Sequence, residues 1–208
     1  MHQYFITAIG TDSGKTLTSA IFTEALQADY WKPVQSGLPR DADTVAQLVD
    51  FPMHIHPSSY EFAKPASPHD AAKAENRAID LAQIHYPQTK NNLIVEGAGG
   101  LLVPLNNKHF VADIIQKFDL EVILVINLYL GCINHSLLSI QELKSRNLKV
   151  KGIVFNGEPN TETQDIILHH SHYECLLHIY PEKQINKDIV KKYAAILLEN
   201  LENLSVIA

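Results

Sequence analysis

Tyr4-Phe5-Ile6-Thr7-Ala8-Ile9-Gly10-Thr11-Asp12-Ser13-Gly14-Lys15-Thr16 joins a short apolar run, Tyr4 to Ala8, to a loop of small and hydroxyl residues and then to a helical pattern from about Lys15 to Ala28. A strand that feeds a helix through Gly14-Lys15-Thr16 is the setting a phosphate-binding loop needs. Backbone N–H groups at the helix start offer donors, and the helix dipole offers its positive end. Lys15 is expected to neutralise the β- and γ-phosphates and the Thr16 hydroxyl to hold Mg2+. Asp12, Ser13, Gly14 and Leu17 fall beside them and are expected to line bound ATP. Position 9 is Ile9 rather than the first glycine of the strict motif, and Gly10 sits inside the loop instead.

Outward from this stretch the same scheme repeats. Asn92 to Glu96 reads as a strand ending at Gly97-Ala98-Gly99-Gly100. Glu121 to Asn127 leads to a helix expected over Asn134 to Asn147, and Val150 to Phe155 ends at Asn156-Gly157. Val122 to Ile126 is apolar at every position, as suits a parallel strand covered by helices on both faces. The alternation predicts an α/β fold with a doubly wound, mostly parallel sheet of the P-loop NTPase-like kind. Ligands of such sheets collect beyond the carboxyl ends of the strands, which is where these small and polar residues lie.

A further short strand is expected around Tyr30, followed by Lys32-Pro33-Val34-Gln35-Ser36-Gly37. Proline forces the preceding lysine into an extended conformation, so the Lys32 side chain should project from a strand end. Pro52, Pro57, Pro65 and Pro68 crowd the next stretch, read as a long excursion over the active edge. Ser67-Pro68 is expected to open a helix from about Asp70 to His85, and Lys187 to Asn203 reads as an amphipathic C-terminal helix. No repeat, low-complexity stretch or linker divides the chain, so residues 1–208 are expected to form one domain.

Composition narrows the function class. An apolar fraction of 46% with 19% charged residues is that of an ordinary soluble protein. A net charge of −6 with scattered Lys and Arg argues against a nucleic-acid partner. The longest apolar stretch, from Val122 through Leu130, is too short to cross a membrane. The N-terminus enters the first strand without a basic leader, which predicts a cytoplasmic location. Cys132 and Cys175 give no disulfide framework. Neither His54 and His56 nor the set His169, His170 and His172 has a cysteine or carboxylate at zinc-site spacing. Nothing near Cys132 in sequence would activate its thiol, so it reads as a buried small residue, and Trp31 reads as core.

Asp41, Asp43 and Glu96 are the carboxylates near strand ends. Mg2+ takes a hydroxyl, one or two carboxylates, water and phosphate oxygens, and Glu96, before its glycine-rich turn, suits that role. Asp43 alone reads equally as a helix N-cap before Val45 to Val49.

Gly10 to Thr16, Lys32 to Gly37, Asp43, Ser67-Pro68-His69, Val95 to Gly100 and Leu130-Gly131-Cys132-Ile133-Asn134-His135 together resemble the dethiobiotin synthetase family, in order and spacing from Tyr4 to about Asn156. The resemblance implies an ATP-dependent ligase that joins CO2 to the vicinal diamine of diaminopelargonate and closes a ureido ring. It places Lys15 and Lys32 about the carbamate and γ-phosphate, and Thr11 and Ser36 along the diamine and carbamate. It gives Mg2+ to Thr16, Asp43 and Glu96, the nucleotide to Glu96, Gly97, Ala98 and Gly99 as well as the loop, and the adenine edge to Asn156 beside Gly157. Gly131, Cys132, Ile133 and Asn134 would start a helix that receives the distant carboxylate of the substrate in the partner subunit's site, so the resemblance implies a homodimer. Nucleotide switches of the chromosome-partition or septum-site type carry a second lysine where Gly10 stands here.

Overall fold

The apolar runs become a parallel sheet with helices on both faces. The computed structural model describes residues 1–207, with side chains to residue 204. In chain order it contains β1 (Gln3–Ala8), α1 (Lys15–Leu26), β2 (Asp29–Trp31), β3 (Val34–Ser36), α2 (Asp41–Leu48), β4 (Ile55–His56), β5 (Tyr60–Phe62) and α3 (Pro68–Ala74). There follow β6 (Leu93–Gly100), α4 (Val111–Phe118), β7 (Glu121–Asn127), α5 (Cys132–Ser145), β8 (Val150–Asn156), α6 (Thr161–Ser171), β9 (Cys175–Ile179) and α7 (Lys187–Ile207).

The main sheet has seven strands in the order β4-β2-β6-β1-β7-β8-β9, all parallel. Strand order changes direction around β1, so the loop after β1 opens into the crevice where ligands of doubly wound sheets bind. β3 and β5 form a separate two-stranded sheet. Side-chain alternation divides the core into two layers. Tyr4, Ile6, Ile123, Val125 and Val154 pack with Ile21, Phe22, Val190 and Tyr193 of α1 and α7. Phe5, Val122, Leu124, Ile126 and Phe155 pack with Ile115, Ile140 and Ile167 of α4, α5 and α6. Each of these strands is therefore apolar on both sides, as its sequence required.

Several boundaries differ from expectation for identifiable reasons. β6 runs on to Gly100 instead of ending at Glu96, because its small residues let it stay against β1. A Cβ on Gly97 would fall 2.8 Å from Phe5 Cε1. The helix expected over Asp70 to His85 is only α3, stopped where Asn76 turns into the left-handed region at φ 53°; a short 3-10 turn, Leu81–Gln83, follows. Helix α4 and the edge strand β9 have no counterpart in the sequence reading. Trp31 is core, set edge-on to Tyr86 and Phe118. No helix among the described residues is long and apolar enough to cross a membrane.

One buried polar knot ties the β2–β4 edge to the turn before β6. Asp29 is buried and accepts from Thr89 Oγ1 at 2.7 Å and Asn91 Nδ2 at 3.0 Å, while His56 Nε2 lies 3.0 Å from its Oδ2. Burial alone would raise the Asp29 pKa, but these hydrogen bonds outweigh it and hold the carboxyl below its usual value. A carboxyl with a depressed folded-state pKa adds stability above its unfolded pKa, and that stability is lost as pH falls through the folded value. Asp29→Asn should therefore cost about 1–3 kcal/mol in urea unfolding near neutral pH. The gap to the native chain should close below about pH 4, and a gap that ignores pH would remove the carboxylate charge from the account.

Candidate active site

The phosphate loop gets its shape from two left-handed residues, Asp12 at φ 56° and Gly14 at φ 94°. They turn the chain so that α1 opens at Lys15, and no side chain caps its start. The first-turn N–H groups are thus left for an anion. Ser13 Oγ donates to Gly10 O at 3.1 Å, and Lys15 Nζ folds back onto the same carbonyl at 3.0 Å. Behind the loop stands Asn156, at the end of β8, whose Nδ2 donates to Ser13 O at 3.1 Å. A Cβ on residue 14 would lie 2.5 Å from that Nδ2, so only glycine fits beside it.

Strand register brings the charged groups together. Trp31 pairs with Val95 across β2 and β6, so Lys32 and Glu96 leave the sheet side by side. Lys32 Nζ lies 3.0 Å from Glu96 Oε1 and 2.7 Å from Asp41 Oδ2, and donates to Gly97 O at 3.3 Å. Tyr30 donates its hydroxyl to Glu96 Oε2 at 2.9 Å. Thr16 Oγ1 sits 2.9 Å from Asp41 Oδ1 and 3.0 Å from Glu96 Oε1, and its one proton serves either. Glu96 is 1% exposed and Lys32 5%.

Burial alone would lower the Lys32 pKa, but Glu96 and Asp41 outweigh it and hold the ammonium charged. Burial would likewise raise Asp41, yet Lys32 beside it brings its carboxyl below the usual range. Tyr30 is pushed well up by burial and by Glu96. Lys15 has no comparable partner. Burial, then the positive charge of Lys32, lowers it to about 8.

Asp43, expected at the metal, lies apart from the Thr16, Lys32 and Glu96 cluster in this geometry. Its carboxylate faces outward and is gripped by the Arg40 guanidinium at 2.7 and 3.0 Å, while Asp41, earlier in the same helical turn, points at Thr16 and Lys32. Gln35 fixes this choice, since its Oε1 accepts the Asp41 N–H at 3.1 Å. Tyr30, Gln35 and Asp41 are the site residues that sequence reading left without a role. A Lys-x-x-Gln spacing after a strand was the available signal for Gln35.

A cleft of about 750 Å³ runs over this cluster. Thr11, Asp12, Ser13, Gly14, Lys15, Thr16 and Leu17 line it, as do Lys32, Ser36, Asp41, Glu96, Ala98 and Gly99. Pro65 to Pro68 of the proline-rich excursion close it over. The Ser36 hydroxyl is buried there without a protein partner. Gly97 lies beneath, its carbonyl toward Lys32. Asn156 and Gly157 stand behind the phosphate loop, outside the lining. Gly131, Cys132, Ile133 and Asn134 are not brought into the cleft: Cys132 is buried at the start of α5 and the others are exposed beside it. A shallower groove of about 270 Å³ continues from Thr11 and Val103 toward Leu138 and Ser139 of α5. Thr16, Asp41 and Glu96 supply few, hard, oxygen donors, a set that fits Mg2+ rather than a cation needing a full protein cage.

Comparison with known proteins gives the chain relatives over nearly its whole length. A sequence profile of the AAA domain family matches residues 2–188. The chain is 58% identical over 203 residues to the ATP-dependent dethiobiotin synthetase BioD of Cytophaga hutchinsonii, covering 96% of this chain and 98% of that protein. It is 44% identical over 195 residues to the protein of the same name from Christiangramia forsetii, covering 92% and 94%. Among solved structures, the septum site-determining protein MinD from Pyrococcus horikoshii, complexed with Mg-ADP, superposes with a TM-score of 0.59 at 14% identity, covering 99% and 98%. A ParA family ATPase from Chlorobium tepidum gives 0.56 at 16%, covering 97% and 91%. At those identities the likeness is one of fold.

Lys15 offers a direct reading of how the loop meets phosphate. A lysine lowered to about 8 is only partly charged near that pH, and a phosphate beside it restores the charge. Nucleotide binding near pH 8 should therefore take up a fraction of a proton, seen as a calorimetric heat that depends on the ionisation enthalpy of the buffer. Uptake should fade below about pH 7, where Lys15 is already protonated. A buffer-independent heat near pH 8 would mean that Lys15 is fully charged before the ligand arrives.

Proposed function

The chain belongs to the ATP-dependent dethiobiotin synthetase family, and from that premise we propose how its cleft carries out ureido ring closure. The reaction joins CO2 to the vicinal diamine of diaminopelargonate at the expense of ATP, within biotin biosynthesis. The observation that carries the assignment of roles is the convergence of two lysines, two carboxylates, the Thr16 hydroxyl and the unpartnered Ser36 hydroxyl on one cleft.

One neutral amine attacks CO2, forming an N–C bond and a carbamate. A carbamate oxygen attacks the γ-phosphorus and ADP departs. The second amine then attacks the carbamoyl carbon, closing the ring as phosphate leaves. Anionic groups must meet at each stage, so rate comes from positioning and from charge arranged in advance. Lys15 and the α1 N–H groups hold the β- and γ-phosphates. Lys32, kept charged by Asp41 and Glu96, stands where the carbamate forms, with Thr11 and Ser36 along the diamine. Thr16, Asp41 and Glu96 hold Mg2+, which when bound neutralises phosphate charge. Asp43 would have to leave Arg40 to join them. Asn156 and Gly157 receive the base.

The carboxylate end of the substrate is assigned to Gly131, Cys132, Ile133 and Asn134 of a second subunit. Two features support a homodimer with sites shared across it. The α5 start lies outside the cleft of its own subunit, and it is surrounded by exposed apolar side chains: Tyr129, Leu130, Ile133, Leu138 and, beside the groove, Leu102.

With purified protein, ATP and Mg2+, phosphate release should require both diaminopelargonate and bicarbonate. Release without either, raised by DNA or lipid, would overturn the ligase reading. In the same assay Asp41→Asn should raise the Mg2+ concentration for half-maximal rate by about tenfold or more, within the range that loss of a ligand or its support produces. Asp43→Asn should leave it near the native value, and the reverse ranking would return the metal to Asp43. Mixing an inactive Lys15 variant with an inactive Asn134 variant should restore part of the activity in mixed dimers. Confirmed mixed dimers that stay inactive would make each site self-contained.

A further inference from the structure

Ser67, Pro68 and His69 have no part in the chemistry described so far, yet their segment forms a wall of the cleft. Pro65 approaches Gly37 so closely that a Cβ on residue 37 would lie 2.9 Å from Pro65 Cα. Ser36, next in the chain, lines the same cleft with its buried, unpartnered hydroxyl. Ser36 and Ser67 therefore border one stretch of it, the stretch assigned to the diamine.

A serine just before a helix ordinarily accepts a hydrogen bond from a first-turn N–H. Ser67 does not. Helix α3 has no side-chain cap, the His69 N–H donates instead to Pro104 O at 3.3 Å, and Ser67 Oγ lies 3.0 Å from His69 Nδ1. In the tautomer protonated at Nε2, the imidazole accepts the serine proton, and the hydroxyl keeps lone pairs for a donor in the cleft. The His69 ring is exposed, so the pair spans from cleft to solvent. Asp70, held by Lys64 at 2.7 Å, follows it in the chain, and Lys73 stands on the same helix.

The reaction needs such a route. When the amine forms its N–C bond to CO2, a C=O π pair moves onto oxygen and the nitrogen must shed a proton. Ring closure forms a second N–C bond, expels phosphate with the C–O pair, and leaves a second proton to remove. Lys32 is held charged between two carboxylates, Lys15 faces phosphate, and Asp41 and Glu96 are engaged with Thr16 and Lys32.

We propose that Ser67 and His69 are the proton exit. The amine N–H passes its proton to Ser67 Oγ as Ser67 passes its own to His69 Nδ1, the imidazolium releases a proton to water, and exchange with water at the exposed ring restores the Nε2-protonated tautomer before the second amine reacts. This rests on the ring-closure reading.

His69→Ala and His69→Gln, assayed for phosphate release with diaminopelargonate, bicarbonate, ATP and Mg2+, should lose kcat by about a hundredfold to a thousandfold, the low end to middle of what a general base contributes. KM for ATP and for the diamine should stay within about twofold, since a proton path acts on turnover and not on binding. Added imidazole should restore part of the kcat of His69→Ala. Ser67→Ala should lose kcat alike without rescue. An unchanged kcat, a loss confined to KM, or His69→Ala unmoved by imidazole would each overturn the relay. Unaltered protein without diamine-dependent turnover would instead strike at the ring-closure reading itself, and the relay would fall with it.

Discussion

A carboxylate almost wholly removed from water governs this active site. Glu96 sits at 1% exposure, where an uncompensated charge would cost several kcal/mol. It is tolerated because Lys32 and Tyr30 each bring a proton to it. That requirement passes outward. Lys32 reaches Glu96 only if β2 lies against β6 in the observed register, and it needs Asp41 as a second counter-charge, which needs Gln35 to seat the start of α2. Elements far apart in sequence are thereby locked by one electrostatic condition, and the condition is also the reaction's: two cations and two anions already arranged before phosphate and carbamate arrive.

The cost of this arrangement appears in the two lysines. Lys32, paired twice, is held charged; Lys15, nearby but paired only with a backbone carbonyl, is left with a weakened hold on its proton. The free site thus carries an unmet demand for negative charge at the phosphate loop and none at Lys32. Phosphate binding relieves the strain, so part of the nucleotide's affinity is stored in the empty protein as electrostatic discomfort.

The sheet was legible because its signals are local and redundant. Val122 to Ile126 can be buried on both faces only as a parallel strand between helix layers, and Gly14-Lys15-Thr16 after β1 has few other uses. Helix α4 and strand β9 escaped notice because each is short and half polar at its margins, and gains its stability from the faces it covers. The orientation of the two aspartates was illegible for another reason. Asp41 and Asp43 share one helical turn, and which of them faces inward depends on Gln35 holding the Asp41 N–H and on Arg40 capturing Asp43, both tertiary facts. The short α3 turned on Asn76 adopting a left-handed conformation, which asparagine tolerates but does not announce.

The brace between Asn156 and the phosphate loop has one more effect. With one amide hydrogen spent on Ser13 O, the plane of the Asn156 side chain is fixed, leaving one N–H and one carbonyl oxygen side by side. A side chain already immobilised pays no rotamer entropy when it meets a ligand. The shape of the loop and the orientation of Asn156 are therefore set together, in the resting protein, by a single hydrogen bond.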